Sequence, residues 1–197
     1  ADMNNPILIE KIIETKKPII FSTGMANEIE IDNLINYLSG KNIIYALLHC
    51  HSAYPAPIHH LNLNYINNLK NKNIIDVGYS SHDLGDLACI SAVAIGSKII
   101  EKHITLSRKS YGNDHAVSLE PREFKDFVRK LRDTVIMLGG KNYQRVIGPG
   151  EKANRISLSK TLIVKKDLAK GDKVSYSNID FYPSGEGLSP AQFKDFA

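Results

Sequence analysis

Short apolar runs alternate with amphipathic segments along the first 140 residues of the chain. The runs are rich in Ile, Leu and Val and show no helical periodicity, which is typical of parallel strands that bury both faces. The segments between them carry apolar residues at helical spacing, as at Ile9, Ile12 and Ile13. The pattern predicts strands over 17–21, 43–48, 74–77 and 98–101, and helices over 5–16, 28–38, 60–70, 84–95 and 121–138.

The order of these elements indicates the fold class. Strand and helix alternate about every 24 to 31 residues, which is typical of a parallel sheet with helices packed outside it. Each strand runs into small or polar residues, and a (β/α)8 barrel builds its site at the C-terminal strand ends. We therefore predict an α/β fold whose four βα units form half of a TIM (β/α)8 barrel. A doubly wound sheet is the alternative, although no strand is followed by a G-x-G-x-x-G dinucleotide fingerprint.

The composition of the chain changes after residue 139. Gly148-Pro149-Gly150 lies in a polar stretch that is typical of a linker. Beyond it, segment 159–164 is predicted to form a strand and segment 177–181 a further short element, and this tail is too short for a large core. These features predict a barrel domain over 1–140, a linker over 141–156 and a small, mostly β module over 157–197, which is expected to be incomplete.

Composition and charge exclude several classes of protein. No apolar run approaches the roughly 18 residues of a membrane helix, and no signal-peptide pattern is present, so we expect a soluble, cytoplasmic protein without a membrane partner. Cys50 and Cys89 have no C-x-x-C spacing and are expected to be reduced. The formal net charge of +4 is spread along the 197 residues. It favours a small anionic ligand over nucleic acid.

Two histidines follow neighbouring predicted strands. His82 and His103 face one cavity if those strands are adjacent, and neutral imidazole is a common ligand for Mn, Fe, Co and Zn. Either histidine alone is more often a hydrogen-bonded structural residue. The pair, with Glu101 and Asp114 nearby in sequence, predicts an open metal site suited to Mn or Mg.

Serine residues follow three consecutive predicted strands. Ser22, Ser52 and Ser80 each place a hydroxyl at a strand end, where hydroxyls and backbone N–H groups suit a phosphate. Each serine alone is more often a turn residue, whereas three in register indicate a phosphate site. Tyr54 and Asp114 are suited to bind hydroxyls of a polyol, with loop packing and helix or turn capping as the respective alternatives.

Six short motifs also stand in a characteristic order along the chain. They are Ser22-Thr23-Gly24-Met25, Leu47-Leu48-His49-Cys50, Ser52-Ala53-Tyr54-Pro55, Gly78-Tyr79-Ser80-x-His82, Glu101-Lys102-His103-Ile104-Thr105-Leu106, and Asp114-His115 followed by Ser118-Leu119-Glu120-Pro121. Over nearly the whole chain they closely resemble the sialic acid synthase family, which includes N-acetylneuraminate synthase and the legionaminate, pseudaminate and spore-coat sugar synthases. The resemblance implies a TIM barrel followed by an antifreeze-like (SAF) domain, to which the tail from about Ser157 is similar.

The resemblance implies a transferase that forms a carbon–carbon bond. Such enzymes condense phosphoenolpyruvate with an open-chain N-acetylhexosamine such as N-acetylmannosamine and release phosphate. By this resemblance, His82 and His103 hold a divalent metal that polarises the sugar aldehyde, most often Mn, with Mg or Co as alternatives. The three catalytic residues implied are these two histidines and Asp114.

The resemblance also assigns the binding residues and the assembly. Ser22, Ser52 and Ser80 match positions that bind the phosphate of phosphoenolpyruvate, whereas Tyr54 and Asp114 match positions that contact the acceptor sugar. Many bacterial members form domain-swapped dimers, so the resemblance implies a homodimer that is domain-swapped through the SAF domain.

The chain departs from the family pattern at several places. Many members carry Asp where Ser81 stands and Pro where Asn113 stands, and Pro183 replaces an arginine that reaches the partner's sugar in many bacterial members. The family's first four strands, with a catalytic glutamate and a phosphate-binding lysine, have no counterpart here. We therefore interpret the chain as a fragment of a synthase that is inactive alone. The alternatives are another phosphoenolpyruvate-dependent aldolase and a non-catalytic binding or assembly module.

Overall fold

The computed structural model describes residues 2–72, 74, 76–140, 144–185 and 187–193. The chain forms two compact units, residues 1–141 and 142–197. The first contains α1 (Pro6–Glu14), β1 (Ile19–Ser22), α2 (Glu28–Leu38), β2 (Tyr45–Cys50), α3 (Tyr65–Lys70), β3 (Asp76–Ser81), α4 (Leu87–Ala94), β4 (Ile99–Lys102), α5 (Asn113–Val117) and α6 (Pro121–Met137). The second contains α7 (Pro149–Leu158), β5 (Lys160–Val164), β6 (Ile179–Pro183) and α8 (Pro190–Phe193).

Strands β1 to β4 form one parallel sheet in the order β1-β2-β3-β4. Successive side chains of a strand point to opposite faces, and one face packs against the helices. Phe21, Leu47 and Tyr79 lie on that helix-facing side and are at most 8% exposed. Sequential parallel strands joined by helices are the repeating unit of a TIM barrel. The predicted α/β class with four βα units is therefore confirmed.

Local capping interactions determine where helix α2 begins. The side chain of Asn27 accepts a hydrogen bond from the backbone N–H of Glu30 at 3.0 Å, and the Glu30 carboxylate accepts one from the N–H of Asn27 at 2.7 Å. This reciprocal pair is a capping box, which satisfies two N–H groups that would otherwise lack partners. Helix α2 accordingly occupies the predicted range 28–38.

Other elements differ from the sequence prediction. Strands β2 and β3 continue past their predicted ends at 48 and 77 to Cys50 and Ser81, because polar residues pair in the ladder as readily as apolar ones. Helix α3 begins only at Tyr65, after a 3-10 turn at Ile58–His60.

Helix α7 occupies residues 149–158 and thus much of the predicted linker over 141–156. Pro149 fits the first turn, and the Glu151 carboxylate accepts a hydrogen bond from the N–H of Gly148 at 3.1 Å. These two interactions start a helix inside a segment whose Gly-Pro-Gly sequence indicated a linker. Residues 141–143 lie outside the described residues.

In the second unit, β5 and β6 pair antiparallel, with Leu162 opposite Phe181. Its most buried side chains include Thr161, Ile179 and Phe193. Strand β5 lies within one residue of its predicted bounds, and β6 overlaps the short element predicted at 177–181. Across the described parts of both units, none of the helices combines the length and the apolar character needed to cross a membrane.

Candidate active site

The face of the sheet opposite the helices carries the polar residues of the strand ends. Cys50, Ser80 and Glu101 are cross-strand neighbours on β2, β3 and β4. Because side chains two residues apart share a face, His82 and His103 continue the same face beyond Ser80 and Glu101. The parallel register thus brings the two predicted metal ligands to the same edge of the sheet.

The rings of His82 and His103 are close enough to share one ion. Their centroids lie 5.1 Å apart with an interplanar angle of 80°. With metal–nitrogen bonds of about 2.1 Å, two imidazoles on one ion have centroids roughly 4.5 to 6.4 Å apart, depending on the bond angle. The observed separation lies inside that range. His82 is buried and His103 half-buried, so the pair lies in a partly enclosed position at the C-terminal ends of β3 and β4.

The surroundings of His82 determine which of its nitrogens is free for a ligand. Nδ1 lies 3.1 Å from the carbonyl oxygen of His51, which only accepts hydrogen bonds, so in the neutral ring Nδ1 carries the proton. Nε2 then has the lone pair, which accepts a hydrogen bond from the Tyr54 hydroxyl at 3.1 Å. A backbone carbonyl that fixes the far nitrogen is the usual support of a metal-bound histidine. The predicted role of His82 therefore fits its geometry.

The sequence reasoning assigned no role to Cys50, yet its thiol lies at the centre of this face. Its Sγ is 3.5 Å from Nδ1 of His82 and 3.6 Å from Oγ of Ser52. Burial raises the pKa of the thiol, but hydrogen bonds with His82, Ser22 and Ser52 outweigh that effect and lower the pKa to about 7. The same bond with Cys50 is the main cause that raises the pKa of His82. The signal in the sequence was the alternation of Leu48 and Cys50 in β2 with Ser52 just beyond the strand.

The three predicted phosphate-binding serines form two groups on this face, a pair and a single residue. Ser22 and Ser52 meet at the Cys50 thiol, whereas Ser80 donates a hydrogen bond to Oε1 of Glu101 at 2.7 Å. Gly24 leaves the room that Ser52 needs, because a Cβ at that position would lie 2.1 Å from Oγ of Ser52. Two hydroxyls are thus brought together and the third is paired with a carboxylate on the next strand.

Tyr54 lies beside the histidine pair, and Asp114 is near enough for its charge to act on the Tyr54 hydroxyl. The Tyr54 ring is 4.2 Å from the His82 ring and 6.0 Å from the His103 ring, and the residue is 44% exposed. Burial raises the pKa of Tyr54, and the charges of Cys50, Asp114 and Glu101 raise it further. Asp114 is exposed in the first turn of α5. The carboxylates of Asp114 and Glu101 therefore act electrostatically on the same hydroxyl.

The donor set leaves most coordination positions of an ion open. Among the described residues, no group of three or more His, Cys, Asp or Glu side chains is arranged to hold a metal. Two neutral imidazoles with the remaining positions free suit a divalent ion that keeps water or binds substrate oxygens.

His49 lies within β2 but belongs to the opposite, helix-facing side. Its Nε2 lies 2.7 Å from the carbonyl oxygen of Leu61, and its ring lies between those of Tyr65 and Tyr79 at 5.3 and 6.0 Å. Burial lowers its pKa, so the ring is a neutral, hydrogen-bonded core residue.

A parallel half-barrel sheet with a histidine pair, clustered hydroxyls and nearby carboxylates at its strand ends is the arrangement expected for one half of a TIM-barrel active site. The profile of the NeuB family matches residues 1–143. The chain therefore belongs to the NeuB family.

Individual relatives agree with this assignment. The chain is 40% identical over 184 residues to the uncharacterized protein MJ1065 of Methanocaldococcus jannaschii, covering 92% of this chain and 53% of that protein. It is 36% identical over 199 residues to the N,N'-diacetyllegionaminic acid synthase of Campylobacter jejuni, and the match covers 100% of this chain and 59% of that enzyme. The crystal structure of the N-acetylneuraminic acid (sialic acid) synthetase from Leptospira borgpetersenii superposes with a TM-score of 0.71 at 34% identity. The superposition covers 80% of this chain and 55% of the synthetase chain. The chain thus spans about half the length of the curated relatives it matches.

Proposed function

We propose that this chain supplies the C-terminal half of the active site of a nonulosonic acid synthase. The enzyme joins phosphoenolpyruvate to an open-chain N-acetylhexosamine such as N-acetylmannosamine. The observation that carries the proposal is the His82–His103 pair, 5.1 Å apart beside the hydroxyls of Ser22 and Ser52. The name of the Campylobacter relative, a legionaminic acid synthase, supports it.

The proposed reaction forms one carbon–carbon bond and breaks one carbon–oxygen bond. C3 of phosphoenolpyruvate bonds to the aldehyde carbon of the sugar, and the aldehyde oxygen takes up a proton. Water adds at C2, the bond between C2 and the phosphate oxygen breaks, and inorganic phosphate leaves with that oxygen. The chain must therefore bind a phosphate, a sugar and a polarised aldehyde close together.

His82 and His103 are the proposed ligands of a divalent ion. Mn suits two neutral imidazoles with open positions, and Mg or Co are the alternatives. When bound, the ion supplies Lewis-acid polarisation of the aldehyde oxygen. His82 presents Nε2 because the His51 carbonyl holds Nδ1–H, and binding at Nε2 frees the Tyr54 hydroxyl to turn to the sugar.

The remaining residues of the site bind the two substrates. Ser22, Ser52 and Ser80 donate hydrogen bonds to the phosphate of phosphoenolpyruvate, and Ser80 gives up its bond to Glu101 to do so. Tyr54 and Asp114 bind hydroxyls of the sugar, and Asp114 also takes part in catalysis.

The second unit is proposed to be an SAF domain. Its antiparallel β5–β6 pair and short helix α8 are compatible with a small, mostly β module. We further propose a cytoplasmic homodimer, domain-swapped through this unit. Pro183 ends β6 where the family's sugar-contacting arginine is expected, so this position supplies no cation to the partner's sugar.

The function is tested by phosphate release from phosphoenolpyruvate in the full-length natural protein. Release is expected only with Mn²⁺ and an N-acetylhexosamine, and it is expected to be lost in the His82→Ala, His103→Ala double variant. The His59→Ala variant, which removes an exposed histidine of the 3-10 turn, is the matched control and should keep full activity. No phosphate release with any of several acceptor sugars would contradict the proposal.

A further inference from the structure

A buried polar network lies directly behind the histidine pair, on the helix-facing side of the sheet. The ammonium of Lys102 donates hydrogen bonds to Oγ of Ser81 at 2.9 Å and to the backbone carbonyl of Asp83. The Ser81 hydroxyl donates to Oδ1 of Asp83 at 2.6 Å, and the Tyr79 hydroxyl donates to the same oxygen at 3.0 Å. All four residues are at most 9% exposed.

A buried ammonium is costly unless its hydrogen bonds are satisfied and an opposite charge is near. Here Ser81 bridges the Lys102 ammonium to the Asp83 carboxylate. A change in the distance between the ends of β3 and β4 would lengthen or break these hydrogen bonds. A hydrogen-bonded network of this kind fixes geometry more than it adds net stability.

The members of the network alternate along the chain with the proposed metal ligands. His82 stands between Ser81 and Asp83, and His103 follows Lys102. Each ligand is thus one peptide unit away from a residue whose side chain is locked on the other face of the sheet. The hydrogen bonds from Lys102 join β4 to the end of β3. They therefore fix the spacing between the two strand ends, and this spacing also sets the distance between the two imidazoles.

We propose that Lys102 is a positioning residue, which acts through Ser81 and Asp83 to hold the ends of β3 and β4 so that His82 and His103 share one ion. The inference rests on the proposed metal site.

The chain offers a matched control on the same two strands. Lys98 forms an ion pair with Asp76 at 2.6 Å, which also joins β4 to β3, but at the opposite ends of the strands, and its side chain is 67% exposed. If Lys102 acts only by joining the strands, Lys98→Met and Lys102→Met should have the same effect on the histidine pair. If it acts by positioning the strand ends, only Lys102→Met affects them.

The experiment measures Mn²⁺ binding to the full-length natural protein by the electron paramagnetic resonance signal of the free ion. The visible absorption of the Co²⁺-loaded protein reports the ligand geometry. Lys102→Met is expected to weaken Mn²⁺ binding about 10-fold or more, the usual effect of removing a group that supports metal ligands, and to shift the Co²⁺ bands. Lys102→Arg keeps the cation and is expected to recover much of the affinity. Lys98→Met should bind as the wild type does.

Ser81→Ala provides a second variant in case Lys102→Met does not fold, because it removes only the bridging hydroxyl. It is expected to weaken Mn²⁺ binding in the same direction. Wild-type affinity and unshifted Co²⁺ bands in a folded Lys102→Met or Ser81→Ala variant would overturn the positioning role alone. If the wild type binds no Mn²⁺, or binds it as well after His82→Ala and His103→Ala, the metal site itself is wrong and this inference falls with it.

Discussion

Replacing Gly24 by Ala tests whether the space beside Ser52 matters for binding phosphoenolpyruvate. An added Cβ would lie 2.1 Å from Oγ of Ser52 and 3.0 Å from Sγ of Cys50. The backbone of Gly24 is not left-handed, so the clash, and not strain, is the effect of the change. The hydroxyl must retreat by at least about 1.3 Å to reach an ordinary contact, and rotation to another χ1 rotamer achieves this.

The expected changes in stability and in KM both follow from the rotation of the Ser52 side chain. Because Ser52 can rotate away, we expect the free energy of unfolding to fall by only about 1 kcal/mol, the low end for an overpacked site. The rotated hydroxyl would no longer reach the phosphate at the proposed site. One lost hydrogen bond to a charged group is worth about 1.5 kcal/mol or more, so the KM for phosphoenolpyruvate should rise about 10-fold or more.

Steady-state phosphate release and urea unfolding of the full-length natural protein measure the two effects. Ser52→Ala should raise KM by about the same factor, and the Gly24→Ala, Ser52→Ala double variant by no more than either single one, because both remove the same hydroxyl. Gly150→Ala, where an added Cβ meets nothing within 4 Å, is the control and should leave KM unchanged. Multiplicative effects of the two changes, or an unchanged KM in Ser52→Ala, would refute the reasoning.

Two further predictions concern the core of the first unit. Leu47→Ala is expected to lower the free energy of unfolding by about 3 kcal/mol, because Leu47 is 0% exposed and its removal leaves a cavity; Ile7→Ala, at a residue 78% exposed, should have little effect in the same urea titration. His49, whose pKa burial holds below its usual 6.5, stays neutral in the fold while the unfolded chain takes up a proton. Its contribution is therefore complete above pH 6.5 and is lost as the pH falls below that value, by up to about 1.4 kcal/mol per pH unit. His49→Gln should flatten the loss of stability between pH 6.5 and 5, and an unchanged pH profile would be evidence against a buried neutral ring.

The repeated pattern of apolar runs was sufficient to predict the parallel sheet. Buried strands and amphipathic helices differ in the spacing of their apolar residues, and this spacing can be recognised within a short segment of sequence. The pairing of His82 with His103 was predictable for the same reason, since both follow neighbouring strands. Their closeness in the structure, 5.1 Å between ring centroids, follows from the register of β3 and β4.

Features that depend on contacts between distant segments were not predictable. Cys50 was described only as a reduced thiol, because its three hydrogen-bonding neighbours come from different strands and loops. Lys102 stood in a recognised motif, but nothing local shows that its ammonium turns to Asp83 on the helix-facing side. The helix at Pro149–Leu158 was missed because its Gly-Pro-Gly start is typical of both a linker and a helix N-terminus.

The register of β3 and β4 places two different polar systems on the two faces of the same pair of strands. Ser80 reaches Glu101 on the open face, and the next residue along, Ser81, reaches Lys102 on the helix-facing side. A deletion or insertion of one residue within either strand would exchange the two faces, because the side-chain period of a strand is two. Changes of length among related proteins are therefore expected in the loops that connect these strands and not within the strands.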